Sequence, residues 1–363
     1  MMMTTVRAGG ERVRKYILES VKGHPADISR DASAHFNISR QAVHRYLRQL
    51  VKEGSLAEKG TGKRKTYTLA PLIEWERTYL LANDLAEDVV WRNDISPALG
   101  ELPENVKDIW QHGFTEMFNN VRDHSEASTV RVRIWKTAID TQMLIADSGV
   151  GIFRKIKQAL NLLDDRHAVF ELYKGKLTTD PKNHSGEGIF FTSRMFDLYE
   201  IVSAGVFFSH RQGTEYDWII QLSEQETLGT AVWLKLNNHS SNTVKKVFDQ
   251  YTSGDADKGF TKTVVPVELA QYEADKLISR SQAKRVLARI ELFKTVIFDF
   301  DKVPTIGQGF ADEIFRVFAN QHPDIALYPR NANAEVSQMI ERVRTGAATE
   351  EPASATNTTS LLP

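Results

Sequence analysis

The chain has 363 residues, 41% of them hydrophobic and 26% charged, with a formal net charge of −1 and no cysteine. This length accommodates two to three domains with real cores. The composition excludes a disulfide scaffold and thiolate zinc sites, no apolar run is long enough to span a bilayer, and the N-terminus lacks a signal-peptide core. A reducing, cytoplasmic setting is expected, with no membrane partner. The near-neutral total conceals an asymmetry: residues 1–70 hold 14 Lys+Arg against 6 Asp+Glu, a balance of +8, and the remainder carries −9. A polyanion partner for the basic end and a solvated basic face both fit that balance.

In chain order, ERVRKYILESV predicts a helix with Val13, Ile17 and Val21 on one stripe, and residues 27–36 predict a second helix after Pro25. In NISRQAVHRYLRQLVKEG, Ser39 is the expected N-cap, Val43, Tyr46, Leu47 and Leu50 fall at helical spacing, and Gly54 is the stop. SLAEKGTGKRKTYTLA sets a Gly-Thr-Gly turn between two β-prone runs, the pattern of a hairpin.

Three helices and a hairpin over residues 1–72 resemble the winged helix-turn-helix of bacterial regulators. The resemblance implies that the third helix enters the DNA major groove by its N-terminal end. Ser39, Arg40, Gln41, His44, Arg45 and Arg48 would then face DNA, with Lys63, Arg64 and Lys65 on the wing near phosphates. Arg and Gln suit bidentate contacts to base edges, and lysines on a loop neutralise phosphate. A protein-docking role for the same fold stays open.

Residues 73–102, rich in charge and punctuated by Pro97, are expected to form a helical linker. Residues 103–240 follow as one domain. TEMFNNVRDHSEAS predicts a helix with two faces: Phe114, Met117, Phe118 and Val121 are apolar, while Glu116, Asn120, Asp123 and His124 fall at i, i+4, i+7 and i+8. Asn119 lies about 100° around the helix from Asn120. STVRVRIW and TQMLIADSGVGI read as strands, the second ending in Asp147, Gly149 and Gly151. HSGEGIFFTSRMFD sets Gly186 and Gly188 before a helical pattern, and GTAVWLKL is a strand entered through Gly229 and Thr230. Singly, each glycine motif is explained by a turn or a loop.

Their order resembles the Bergerat-type α/β sandwich of the GHKL ATPases, the group that includes gyrase, the ninety-kilodalton heat-shock chaperone, histidine kinases and mismatch-repair proteins. The resemblance implies ATP and Mg²⁺ as ligands. Asn120 would ligate the metal, Glu116 would orient or deprotonate an attacking water, and Asp123 and His124 would lie near the nucleotide. Asp147 would accept a hydrogen bond from the adenine amino group, and Thr230 would reach the base through a water. Gly149 and Gly151 would allow backbone approach to the base and ribose, and Gly186 and Gly188 would open a helix whose amides bind phosphate. Residues 152–185 read as a lid in which Lys174, Lys176 and Lys182 are available for phosphate, although a solvated loop accounts for at least two of them. No phosphoacceptor-histidine helix precedes this segment, and the Glu-x-x-x-Asn-x-x-x-His spacing looks closer to anti-sigma-factor serine kinases.

Residues 241–260 are expected to be a linker. Residues 261–345 alternate strand, helix, strand, helix, strand, a small α/β domain. KTVIFDFDKVPTIGQGFADEIFRVF resembles the STAS fold of anti-sigma-factor antagonists. Gly307, Gln308 and Gly309 stand where that family places its phosphoacceptor serine, and Thr305 is the nearest hydroxyl, so the phosphorylation site is not carried over. Asp299, Asp301, Asp312 and Glu313 are read as structural rather than as a metal cluster. Residues 346–363, poor in aromatics and rich in Thr, Ala, Ser and Pro, are expected to be disordered.

The fold expected is multidomain α+β: winged helix, Bergerat sandwich and STAS-like domain. The function expected is an ATP–Mg²⁺-switched, DNA-binding transcriptional regulator with a protein partner at the STAS-like domain, with homodimerisation left open. A protein serine/threonine kinase acting on an antagonist partner, and a slow ATPase in a defence or stress complex, are the alternatives.

Overall fold

A computed structural model describes residues 8–81, 85–177, 186–213, 218–221, 228–252, 259–271 and 276–346. The chain divides into two compact units, one of residues 1–168 and 188–247, the other of residues 169–187 and 248–363.

The first unit begins with α1 (Ala8–Ser20), α2 (Ile28–Phe36) and α3 (Arg40–Lys52), followed by the antiparallel hairpin β1 (Leu56–Lys59) and β2 (Thr66–Leu69). The expected stripe of Val13, Ile17 and Val21 is buried together with Ile28, Val43, Leu47 and Leu50 in one cluster. Ser39 caps α3, its hydroxyl accepting from the Ala42 amide at 3.2 Å.

The expected linker over 73–102 is corrected. Ile73–Leu80 forms β3, which pairs antiparallel with β4 (Thr129–Lys136) at the edge of a seven-stranded sheet. The alternation explains this: Glu74, Glu76 and Thr78 are exposed, while Tyr79 is buried edge-on to Phe118, with ring centroids 6.0 Å apart. Only after β3 does the chain turn helical, through α4 (Glu87–Val90), a π-helical turn over Trp91–Ile95 and α5 (Ser96–Leu99).

The sheet continues through β5 (Asp140–Asp147), β6 (Leu198–Ser203), β7 (Val206–Arg211), β8 (Trp218–Gln221) and β9 (Thr230–Asn237) in the order β3-β4-β5-β9-β6-β7-β8, every pairing antiparallel. Cross-strand rows build its inner face. Ile134, Met143, Leu234 and Tyr199 stand in register, as do Val132, Ile145, Val232 and Ile201, and all eight are buried.

Against that face lies α6 (Glu104–His124), burying Trp110, Phe114, Met117, Phe118 and Val121. α9 (Gly188–Met195) packs on α6, where Trp110 meets Phe196 edge-on at 4.8 Å. On the opposite face, Trp135 stacks on Trp233 at 4.9 Å. Asp140, 3% exposed, ties the N-terminal helices to this sheet through Lys22, in the turn after α1, at 2.8 Å and through Lys235 of β9 at 2.9 Å. Burial works to raise the Asp140 pKa, but hydrogen bonds from the two lysines outweigh it and hold the carboxyl below its ordinary range.

In the second unit, β10 (Lys262–Pro266), β11 (Thr295–Asp299) and β12 (Ala326–Arg330) form a parallel sheet. Such pairing requires crossovers, which here contain α11 (Arg280–Leu287) and α12 (Gln308–Asp312), and α13 (Ala334–Gly346) follows. The expected linker at 241–260 contains a helix, α10 (Val244–Tyr251). Of residues 346–363, expected to be a disordered tail, 347–363 lie outside the described residues.

Candidate functional site

The polar face of α6 sits between two glycine motifs. At one end is Glu116. Gly188, the first residue of α9, lies so close that a Cβ there would fall 1.8 Å from Glu116 Oε2. The carboxylate therefore rests against the opening turn of α9. At the other end, the Asp147–Gly151 loop packs on the C-terminus of α6. Val150 N donates to Ser125 O at 2.8 Å, and a Cβ on Gly149 would fall 1.9 Å from the same carbonyl oxygen. Only glycine permits that approach.

Between these ends, Asn120 Nδ2 is buried with no hydrogen-bond partner among the described residues. A buried amide nitrogen without a partner is costly, and such an atom asks for an explanation. A half-turn about the terminal bond exchanges the amide nitrogen and oxygen, so the position offers either a donor or an oxygen ligand.

With its Oδ1 likewise buried and without a hydrogen-bond partner among the described residues, Asn119 differs in what its amide nitrogen reaches. It hydrogen-bonds Glu87 of α4, whose carboxyl sits below its ordinary range chiefly through its own backbone amide, with Arg122 and then Asn119 adding to the effect. Asp123 is occupied too: its oxygens accept from Arg122 at 2.8 and 3.3 Å, and Arg122 also holds Glu87 at 2.8 Å. The structure thus places Asp123 in a surface ion network. His124 offers its carbonyl to Lys155 Nζ at 2.7 Å. Sequence reasoning missed Lys155 and Ser125, the two residues that tie the Asp147 loop and α7 (Ile152–Leu160) to α6. A backbone carbonyl acceptor leaves no sequence signal.

Asp147 ends β5. Burial raises its pKa, and amide donors from Gly149, at 2.8 Å, and Thr230 partly offset the rise. Thr230, at the start of β9, accepts from Ile152 N at 3.0 Å, so its hydroxyl caps α7 from across the chain. Gly151 is the residue before α7, next to Ser203 Oγ. Asp147, Gly149, Gly151 and Thr230 are therefore brought together, and the loop they form abuts the helix carrying Glu116 and Asn120.

The lysines expected in the lid are elsewhere. α8 (Asp165–Lys174) carries Lys174 into the second unit, where it is 0% exposed and donates to Glu171 Oε1 at 2.7 Å and Ala288 O at 2.8 Å. Lys176 Nζ donates to Leu292 O at 2.9 Å, between the rings of Phe260 and Phe293. Gly186 also belongs to this unit, its carbonyl accepting from Leu177 N at 3.0 Å. Lys182 lies outside the described residues.

On α3, Ser39, Arg40, Gln41, His44, Arg45 and Arg48 are all exposed, as is Arg64 in the hairpin loop. Lys65 is paired with Glu58 at 2.9 Å. The Lys63 side chain lies outside the described residues.

In the second unit, Asp299 is held by Arg330 and by Asn331 at 3.0 Å, and Asp312 by Arg280 at 2.9 Å and by Arg316. Among the described residues, no group of three or more His, Asp or Glu side chains is placed to hold a metal ion, and no helix is long and apolar enough to cross a membrane.

The parallel three-stranded sheet with its crossover helices defines the second unit as a small α/β domain. A family model, the STAS-like domain of unknown function (DUF4325), matches residues 282–337, so the C-terminal part of the chain carries a STAS-like domain. No curated protein matches the chain.

Proposed function

We propose that the chain is an ATP–Mg²⁺-binding regulator of the GHKL type, with an N-terminal winged helix that reads DNA and a C-terminal STAS-like domain that meets a protein partner. The supporting observation is the polar face of α6, where a carboxylate against the first turn of α9 and a buried, unpartnered Asn120 amide lie between the Gly188 and Asp147–Gly151 motifs. The cradle suits the ligand chemically. The opening amides of α9 suit an anionic group.

In this reading Asp147 accepts from the exocyclic amino group of adenine. Its two amide donors orient the carboxylate for that bond, and its raised pKa sets the acid limit of recognition. Asn120 contributes the oxygen that meets Mg²⁺, and Glu116 orients or deprotonates water one helical turn away. Mg²⁺, when bound, neutralises charge on the phosphates. The exposed Arg40, Gln41, Arg45 and Arg48 on α3 support DNA contact through base edges and phosphates. A cytoplasmic location follows from a DNA partner.

Two measurements test this reading. Glu116→Ala is expected to retain ATP–Mg²⁺ binding while losing any turnover by at least about 100-fold, the usual scale for a lost general base. Radiolabel appearing on a protein partner rather than as free phosphate would turn the reading to a kinase. DNA binding is expected to weaken steeply with salt, and replacing both Arg45 and Arg48 by Ala should reduce the log–log slope by about 2. A slope near zero would exclude DNA as the partner of α3.

A further inference from the structure

The strands that carry Asp147 and Thr230 at one end carry a second set of polar side chains at the other. The two ends of β5 are about 23 Å apart at the rise of a strand. At the far end Lys235, Leu198 and Arg211 stand in one cross-strand row over β9, β6 and β7, and Asp140 pairs with Asn237 two residues along. Alternation along the strands puts these residues on the face of the Trp135–Trp233 stack, away from α6. Leu18 and Glu19 of α1, Lys22 and Leu69 of β2 join them in lining a cavity of about 380 Å³. That volume is at the lower end of the range for ligand sites, so it suits a small molecule.

Among the described residues, the charged lining is balanced: Lys22, Lys235 and Arg211 against Glu19, Asp140 and Asp197. Asp140 is saturated. Its Oδ2 accepts from both lysines, and its Oδ1 from Thr137 Oγ1 at 3.1 Å and Gln142 Nε2 at 3.4 Å. Each ammonium gives Asp140 one of its three N–H donors. Asp197 is in a different state. Its Oδ2 accepts from Asn237 N at 2.6 Å, and no donor among the described residues reaches Oδ1. Burial raises the Asp197 pKa, the Asn237 amide and the Lys235 charge offset the rise only in part, and Asp140 adds to it. One more cationic donor is what such a carboxylate lacks. Leu18, Leu69, Ile139 and Leu198 supply an aliphatic wall beside these groups.

We infer that this cavity binds a small aliphatic α-amino acid, its carboxylate met by Lys22, Lys235 and Arg211 and its ammonium by Asp197. Charge balance selects a zwitterion. A ligand with only a negative group leaves Asp197 unanswered among three carboxylates, and one with only a positive group faces three cations. Lys22 and Leu18 come from the N-terminal helices, whereas Lys235, Asp197 and Arg211 belong to the sheet. A bound amino acid therefore adds to the Asp140 contact between helices and sheet, as an effector would. The site is at the opposite end of β5 from Asp147 and does not depend on the nucleotide reading.

The test is calorimetric titration of the full chain, without nucleotide, with three probes: L-leucine, 4-methylpentanoate and 3-methylbutylamine. The last two keep the leucine side chain and one charge each. Expected is saturable binding of L-leucine, at least about tenfold tighter than either analogue, the scale of one lost charge-assisted hydrogen bond. No saturable binding of L-leucine, or an analogue that binds as tightly, overturns the proposal. Asp197→Asn keeps an acceptor for Asn237 N and removes the charge. It should weaken L-leucine about tenfold and leave 4-methylpentanoate unchanged, a split that general damage to the fold would not give. Arg211→Gln, at the exposed end of β7, is the second arm should Asp197→Asn fold poorly. There L-leucine should weaken about tenfold while 3-methylbutylamine is unchanged. An L-leucine Kd equal to wild type in either variant overturns the assignment.

Discussion

Lys174→Met lowers the stability of the C-terminal unit by about 3–5 kcal/mol, the scale for breaking a buried ion pair from one side. The side chain is 0% exposed, and its ammonium serves a carboxylate and two carbonyls. Methionine keeps the length of the apolar stem but lacks the ammonium, so Glu171 retains its ion pair with Arg289 while the Arg285 and Ala288 carbonyls lose that donor. The double replacement Glu171→Gln with Lys174→Met removes the stranded charge and should lose less than the single one.

Burial brings the Lys174 pKa down to about 8, against the pull of Glu171. A base with a depressed folded-state pKa carries a penalty while charged. That penalty lifts as pH rises from about 8 towards the ordinary lysine value of about 10.4, so the wild-type unit gains stability across that window. Lys174→Met should abolish the gain. Hydrogen exchange over 263–266 and 295–299 measures both effects. All six tryptophans fall between Trp75 and Trp233, so fluorescence reports the other unit and should change little. Unaltered exchange in Lys174→Met would show that the Lys174–Glu171 pair does not hold the domain.

Gly149→Ala is the second large effect, expected to cost the first unit about 3 kcal/mol by overpacking. The new methyl would meet the Ser125 carbonyl oxygen at 1.9 Å and its carbon at 2.7 Å, both backbone atoms at the end of α6 that no rotamer change can move. Relief requires the Asp147 loop to lift off α6, which separates Asp147 from Asn120. Stability and nucleotide affinity should therefore fall together. Gly9→Ala is the control: nothing lies within 4 Å of that position, and a change below about 1 kcal/mol is expected. Urea unfolding followed by tryptophan fluorescence separates the two, and equal midpoints would contradict the close approach.

What could be read from sequence follows from how local each determinant is. The stripes of α1 to α3, the Ser39 cap and the apolar face of α6 depend on neighbours within two turns, and the structure reproduces them. β3 was legible only in part. Glu74 and Glu76 on the exposed side of an edge strand mimic a charged linker, and the alternation that marks the strand rests on Ile73, Trp75 and Tyr79 alone. The burial of Lys174 was not legible. The acceptors of Lys174 in α11 lie 111 and 114 residues away, and a lysine between Tyr173 and Gly175 gives no local sign that its charge is buried. Likewise Asp123 fits the polar face by spacing, but its neighbour Arg122 captures it.

The central claim is a nucleotide pocket on the polar face of α6. Calorimetric titration of ATP–Mg²⁺ into the full chain tests it most directly, comparing wild type with the Asp147→Asn/Asn120→Ala double replacement. The account predicts saturable binding at one site per chain in wild type and at least about a 100-fold loss in the double variant, as expected when two buried, directed polar contacts are removed. Equal affinity in the two proteins would contradict it.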